Sequence, residues 1–208
     1  MSRIHDITPV VSPRIAVWPG DVGFSRQISC AIDDGANIDL SAIHTTVHLG
    51  AHTDAPSHYQ QGGADISRRP IEMYVGPCQL ITVSTEAGQR IVPRDVQVQI
   101  KAPRVLFRTE SFPDPDHFNE DFCSLSPELI DDLADEGVCL VGIDTPSIDP
   151  FSSKDLPSHM AVARHDMAIL EGVVLTQVPD GVYTLVALPL KLEGADASPV
   201  RAVLIEDQ

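Results

Sequence analysis

The stretch His44-Thr45-Thr46-Val47-His48-Leu49-Gly50-Ala51-His52-Thr53-Asp54-Ala55-Pro56-Ser57-His58 decides how this chain can fold and what it can bind. Four of the eight histidines lie in this stretch, together with one aspartate. The β-branched residues at its start favour a strand, whereas its glycine and its proline argue against one continuous helix. His48, His52 and Asp54 share parity, so in a chain that stays extended their side chains would point into one cavity.

These side chains are candidate metal ligands. Imidazole nitrogens together with a carboxylate oxygen suit Zn²⁺, and Mn²⁺ or Fe²⁺ can use the same donors. A single pair of histidines four residues apart also occurs on solvated surfaces and as hydrogen-bonded core residues. The full spacing His-x3-His-x-Asp-x3-His, which ends at His58, favours a divalent metal site. The zincin motif HExxH does not apply, because Leu49 follows the first histidine where that motif requires glutamate.

The charge balance limits the partners of this chain. Its 208 residues carry 14 Lys+Arg against 30 Asp+Glu, a formal net charge of −16. Such a surface repels a phosphate backbone, so we expect no nucleic-acid partner. We also expect no membrane segment or signal peptide and hence a cytoplasmic protein, because no apolar run approaches the roughly 20 residues of a membrane span. The length suits one domain over 1–208, and the four cysteines form no CxxC pair and are expected to be reduced.

Short β-branched runs recur and predict many strands and few helices. The strands are expected at 26–32, 42–49, 79–84, 104–108, 138–143, 173–178, 183–189 and 200–205. A helix is expected after Ser126, which can cap it, and before Gly137, which can end it. A second helix is expected over 158–170, and a short one near Pro93. Because strands and helices do not alternate strictly, we predict an α/β fold of mixed sheets flanked by a few helices.

Two further segments carry candidate site residues. Trp18, the only tryptophan, precedes a Pro-Gly turn, where an indole can offer a flat apolar wall to an aromatic ligand. Packing in the interior is the competing interpretation. His159 and Glu171 lie at opposite ends of the helix expected over 158–170, so they meet only if the chain folds both ends toward one cavity. Taken alone, each of these two residues is also typical of an ordinary surface position.

The order of these features resembles that of the cyclase-like metal hydrolases, and within them the kynurenine formamidase (arylformamidase) branch. The chain has Val-Trp-Pro-Gly-Asp at 17–21, the pattern HxGxHxDxPxH at 48–58, and then a distal His159 and a Glu171 before glycine and an apolar run. The resemblance covers nearly the whole chain. It implies a swivelling β/β/α fold, usually in a homodimer, with a binuclear zinc site.

The resemblance also assigns the ligands by position. One zinc ion would be held by His48, His52 and Asp54. The second would be held by His159 and Glu171, with Asp54 bridging the two ions.

The implied reaction is hydrolysis of N-formyl-L-kynurenine to L-kynurenine and formate, in the pathway of tryptophan degradation. The resemblance makes His58 the catalytic acid/base and Trp18 a substrate contact. One alternative is another amidase or a cyclic-amide hydrolase of the same superfamily, such as an isatin hydrolase. A non-catalytic zinc-binding protein is a second alternative, but it would not need a spare acid/base such as His58. No GxSxG segment is present, which argues against serine hydrolase chemistry.

Overall fold

Short strands dominate the protein, as its β-branched runs predict. The structure is a computed structural model in which residues 2–206 are described. Within that range the strands are β1 (Ile4–Asp6), β2 (Ser25–Cys30), β3 (Leu40–His44), β4 (His52–Asp54), β5 (Val75–Thr82), β6 (Arg90–Ile91), β7 (Arg104–Arg108), β8 (Ser124–Leu125), β9 (Leu140–Ile143), β10 (Ala168–Leu170), β11 (Gly181–Val186), β12 (Ala197–Pro199) and β13 (Val203–Ile205). The α-helices are α1 (Pro56–Tyr59), α2 (Pro127–Asp135) and α3 (Pro157–Arg164), and 3-10 turns occupy Ile32–Asp34, Ile66–Arg68, Ile71–Tyr74 and Pro93–Asp95. None of these helices is long and apolar enough to cross a membrane.

One mixed sheet organises the fold. Its seven strands run in the order β1-β13-β11-β5-β7-β9-β10. The pairs from β1 to β5 are antiparallel, and those from β5 to β10 are parallel. Separate two-stranded pairs join β4 to β12, β2 to β3 and β6 to β8. This architecture confirms the predicted α/β fold of mixed sheets with few helices.

The sheet is buried on both faces, and alternation along its strands divides the core in two. On β7, Leu106 packs into one apolar cluster, while Val105 and Phe107 pack into the other. The second cluster also contains Ile130 of α2 and Val162 of α3, so these helices cover that face. Each such aliphatic side chain contributes roughly 1.5–3 kcal/mol on burial.

Helix α2 has the boundaries that its sequence predicts. The Ser126 hydroxyl accepts a hydrogen bond from the backbone N–H of Leu129 at 3.2 Å, as a helix cap does. Gly137 follows the helix at a φ of +84°, a conformation that favours glycine.

The helix expected over 158–170 is wrong in its second half. Helix α3 ends at Arg164, the chain turns at Asp166 with a φ of +49°, and 168–170 form β10. These three buried residues pair in parallel with β9, where Gly142 allows close approach because a Cβ there would lie 2.9 Å from the Leu170 carbonyl oxygen. Completing the sheet therefore outweighs continuing the helix.

The strand expected over 173–178 is also wrong, because other groups bind its backbone. The Val174 N–H donates to the Ile7 carbonyl at 2.9 Å. The Arg108 guanidinium donates to the carbonyls of Leu175, at 3.0 Å, and Val178, at 2.5 Å. The segment consequently forms a loop that covers the core beside the sheet.

Three parallel strands end at the same edge of the sheet. Glu110 lies two residues after β7, Asp144 directly after β9, and Glu171 directly after β10. All three residues line one cavity of about 480 Å³. Ligands of open sheets with parallel strands bind outside the carboxyl ends of those strands, so this cavity is the expected place for a site.

Candidate metal centre

Strand β4 and the bend before it position the first predicted ligands. His52 and Asp54 lie on the same side of β4, as their parity predicts. The segment does not stay extended back to His48, however, because 45–51 bends and Gly50 adopts a φ of +54°. Despite this bend, His48 Nδ1 lies 3.0 Å from Asp54 Oδ1, and His52 Nε2 lies 3.5 Å from the same oxygen.

Glu171 reaches the site through a backbone bridge to β4. The His52 N–H donates to the Glu171 carbonyl at 3.1 Å, and the Glu171 N–H donates back to the His52 carbonyl at 2.9 Å. The side chains follow, with His52 Nε2 at 3.3 Å from Glu171 Oε2. The next residue, Gly172, has a φ of +66°, and a Cβ there would lie 2.1 Å from the Gly50 carbonyl oxygen. Only glycine fits this close approach.

His159 enters from the first turn of α3. Its Nε2 lies 3.5 Å from Asp54 Oδ2 and 3.7 Å from Glu171 Oε1. His159 and Glu171 are not the two ends of one helix, as the sequence suggested. They meet because β10 returns the chain to the same end of the sheet. The structure thus brings together all the predicted ligands around the buried carboxylate of Asp54.

The state of Asp54 tests whether these residues fit a metal ion. Its Oδ1 is buried and accepts no hydrogen bond from the described part of the chain. His52 Nδ1 lies 2.8 Å from the Gly50 carbonyl, a contact that places the ring proton on Nδ1. His48 Nε2 pairs in the same way with Asp196 Oδ2 at 3.0 Å. When the rings are neutral, the other nitrogen of each therefore presents a lone pair toward Asp54 Oδ1, which is the arrangement of first ligands around a cation, each oriented by an outer partner.

The electrostatics of the site also favour positive charge. Burial opposes protonation of His48, but the carboxylates of Asp54 and Asp196 outweigh it and raise its pKa to about 9. Burial likewise opposes protonation of His159, and Asp149, Asp54 and Glu171 raise its pKa to about 10. A divalent cation can replace such protons, since metal binding to histidine releases them. The residues therefore fit a divalent metal.

His58 lies beside this cluster on the cavity side. It belongs to α1, and 32% of its side chain is exposed. Its Nδ1 lies 3.3 Å from Asp196 Oδ2, and its Nε2 lies 3.9 Å from Asp54 Oδ2, too far for a hydrogen bond. Ligand atoms of His48, Asp54 and His58 lie within 4.8 Å of one another, as do those of His52, Asp54 and Glu171. The geometry therefore allows His58 to act either as a spare acid/base or as a ligand.

Two further carboxylates, which the sequence did not predict, contact the histidines of the site. Asp149 is fully buried, and its Oδ2 accepts from His159 Nδ1 at 2.8 Å and from the N–H groups of Ser158 and His159. It also pairs with Arg90 at 2.8 Å. Burial opposes its ionisation most strongly, but the contacts with His159 and Arg90 together outweigh it and lower the pKa of Asp149 to about 2. Asp196 holds both His48 and His58. Neither carboxylate has a local sequence signal, because Asp149 is 10 residues from His159 and Asp196 is 138 residues from His58.

Another part of the cavity lining is aromatic. Trp18 opens a turn over Pro19 and Gly20, which the Asp21 N–H closes by donating to the Trp18 carbonyl at 2.9 Å. The indole lies edge-on to Phe118, with ring centroids 5.5 Å apart, and is tilted against Phe151 at 5.1 Å. Trp18 and Phe118 both line the cavity. The indole therefore packs and faces the site at once, so the two interpretations of Trp18 do not exclude each other.

Comparisons with known proteins give this geometry a context. A family model described as putative cyclase matches residues 5–150. The chain is 45% identical to a protein named kynurenine formamidase from Maricaulis maris (strain MCS10), over 99% of each chain. A solved structure described as a potential metal-dependent hydrolase with cyclase activity superposes with a TM-score of 0.86 at 30% identity and covers 100% of both chains. Isatin hydrolase A from Labrenzia aggregata shares the fold, with a TM-score of 0.85 at 24% identity over 100% of this chain and 94% of that one.

Proposed function

This chain belongs to the putative cyclase family, and on that premise we propose that it is an amidohydrolase that converts N-formyl-L-kynurenine and water into L-kynurenine and formate. The observation that carries the proposal is the convergence of three imidazoles on buried Asp54, with Glu171 beside them, in a cavity that is also lined by aromatic side chains. The near full-length similarity to a protein named kynurenine formamidase supports the choice of substrate.

The proposed cofactor is zinc, with two ions per subunit. Zinc suits imidazole and carboxylate donors, and Mn²⁺ can use the same set. Two ions are favoured because Asp54 offers both oxygens: Oδ1 faces His48 and His52, and Oδ2 faces His159. Glu171 lies near His52 through one oxygen and near His159 through the other, so it can also serve both positions.

The residues of this chain supply the rest of the chemistry. A bound divalent ion would act as a Lewis acid and make the water that it holds more acidic. The reaction forms a bond from the water oxygen to the formyl carbon and breaks the bond from that carbon to the aryl nitrogen, which must gain one proton to leave as an amine. His58 lines the cavity, with its Nε2 on the side of Asp54, and can take a proton from water and return it to that nitrogen. Asp196 orients this ring through Nδ1.

The metal centre and the aromatic part of the cavity lining together suggest how the substrate is placed. The formyl group would lie at the metal centre, and the aromatic ring would stack on Trp18, which Phe118 and Phe151 hold in place. A cavity of about 480 Å³ lies within the range typical of small-molecule sites.

We also propose that one domain over 1–208 assembles as a homodimer in the cytoplasm. The seven-stranded sheet pairs β1 with β13 and so joins both halves of the chain, which supports one domain. The hairpin of β2 and β3 exposes Ile28 (58%) and Ile43 (66%), apolar residues that a second copy could cover. The four cysteines are unpaired, as is typical of a reducing compartment. The mass in solution tests the dimer: Ile43→Asp should yield monomers, and a monomeric wild type would contradict it.

The proposed activity has a direct test. Purified protein should release L-kynurenine from N-formyl-L-kynurenine, lose this activity in a chelator and regain it with Zn²⁺, while elemental analysis gives the metal and its count. Isatin is the comparison substrate, because it is a cyclic aryl amide that lacks the amino-acid end of formylkynurenine. Preferred hydrolysis of isatin, or formylkynurenine hydrolysis that persists without any bound metal, would contradict the proposal.

A further inference from the structure

The loop after β7 holds Glu110 at the cavity in an unusual conformation. Glu110 has a φ of +57°, a conformation that residues other than glycine rarely adopt. Asp144, directly after β9, holds it there: the Glu110 N–H donates to Asp144 Oδ2 at 2.8 Å, and the Thr109 N–H and hydroxyl donate to the same carboxylate at 2.9 and 2.7 Å. Two neighbouring strands thus fix the position of Glu110.

Negative charge predominates among the side chains that line the cavity. No lysine or arginine occurs among the described residues that line it. Outside the metal centre, its acidic residues are Asp21, Glu110 and Asp144. Asp144 is committed to Thr109 and Glu110, and Asp21 Oδ1 accepts from the Val22 N–H at 2.7 Å. Within residues 2–206 only the backbone N–H of Glu110 forms a hydrogen bond, and the residue is exposed, so its carboxylate is available to a ligand.

We propose that Glu110 binds the α-ammonium group of the substrate and so determines its specificity. This inference rests on the proposed function, in which the formyl group lies at the metal centre and the amino-acid end extends toward the cavity mouth. A carboxylate and an ammonium form a charge-assisted hydrogen bond. The substrate's own carboxylate meets no cationic side chain of the described lining. The cavity therefore recognises the amine and not the acid, and a decarboxylated substrate should be accepted.

Three substrates separate these contributions. N-formyl-L-kynurenine carries the ammonium and the carboxylate, N-formylkynuramine carries only the ammonium, and 2′-formamidoacetophenone carries neither. Wild type should hydrolyse the first two with similar kcat/KM. Glu110→Gln should lower kcat/KM for both by about 10- to 100-fold, mainly through KM, and leave the third unchanged. Glu120→Gln is the matched control, because it removes the same charge from an exposed position of the same loop that does not line the cavity.

Each other outcome has a distinct meaning. An equal loss on all three substrates would overturn the inference, as would selective loss in Asp21→Asn instead of Glu110→Gln. Poor hydrolysis of N-formylkynuramine by wild type would show that the acid is recognised, which also overturns it. If wild type hydrolyses none of the three, the proposed function fails, and calorimetric binding of kynuramine then decides the role of Glu110. Equal affinity of wild type and Glu110→Gln for kynuramine would refute it.

Discussion

Replacement of Asp149 by Asn should weaken metal binding although Asp149 itself touches no metal. Asp149 Oδ2 accepts from His159 Nδ1 at 2.8 Å, which places the ring proton on Nδ1 and leaves Nε2 free to face Asp54. Its Oδ1 accepts from Arg90 at 2.8 Å. An amide has only one oxygen, so in either orientation its NH₂ group faces donors that the carboxylate satisfies.

The two orientations set the size of the effect. With NH₂ toward His159, Nδ1 must become the acceptor, the proton moves to Nε2, and the ring can no longer bind metal. With NH₂ toward Arg90, His159 keeps its tautomer but loses a charged partner, and Arg90 Nη2 loses its acceptor while Nη1 keeps those of Leu125 and Ser158. The second orientation is the less costly one. Loss of an outer partner of a ligand typically reduces metal affinity 10- to 100-fold, which corresponds to about 1.4–2.7 kcal/mol.

Competition with a chromophoric chelator at neutral pH measures this affinity. Asp131→Asn is the control, because Asp131 binds Arg164 and His165 at the end of α3, the helix that also carries His159. We expect Asp131→Asn to bind Zn²⁺ as wild type does and Asp149→Asn to bind it 10- to 100-fold more weakly. Circular dichroism of the metal-free proteins checks that both variants are folded. Wild-type affinity in a folded Asp149→Asn would refute the reasoning.

Three other substitutions test the site. His58→Ala should lower turnover roughly 10²- to 10⁴-fold while elemental analysis finds the metal still bound, whereas loss of metal would make His58 a ligand. Asp196→Ala alone should lower turnover roughly 10- to 100-fold, but it should cause no further loss when it is combined with His58→Ala. An additive loss in the double mutant would show that Asp196 acts through His48 instead. Gly172→Ala should lower the free energy of unfolding by roughly 1–3 kcal/mol more than Gly194→Ala. Both glycines have a positive φ, but only at Gly172 would a Cβ meet the backbone, at 2.1 Å from the Gly50 carbonyl oxygen. Equal urea midpoints for the two glycine variants would contradict this reason.

The sequence predicts what depends on neighbouring residues. The shared face of His52 and Asp54 follows from strand parity, and the limits of α2 follow from its cap and its terminal glycine. The family resemblance, and not the local pattern, linked His159 and Glu171 to the same site. The local pattern placed them on one helix, because nothing near 165–170 shows that the sheet has a vacant edge beside β9.

Contacts between residues far apart in the chain leave no local pattern in the sequence and were not predicted. Asp196 approaches His58 only because β12 pairs with β4, and its separation of 138 residues leaves no periodic signal. The positive φ of Glu110 depends on a carboxylate 34 residues away and on no turn residue of its own. The backbone bridge between His52 and Glu171 likewise exists only in the assembled sheet.

The pairing of β12 with β4 also bears on the order of events during synthesis. His48, His52, Asp54 and His58 leave the ribosome early, but β4 lacks its partner strand, and His48 and His58 lack Asp196, until residues 196–199 have been translated. Nascent chains should therefore capture metal poorly until residues 196–199 emerge. A ribosome stalled before that point would carry the early ligands without a finished binding site.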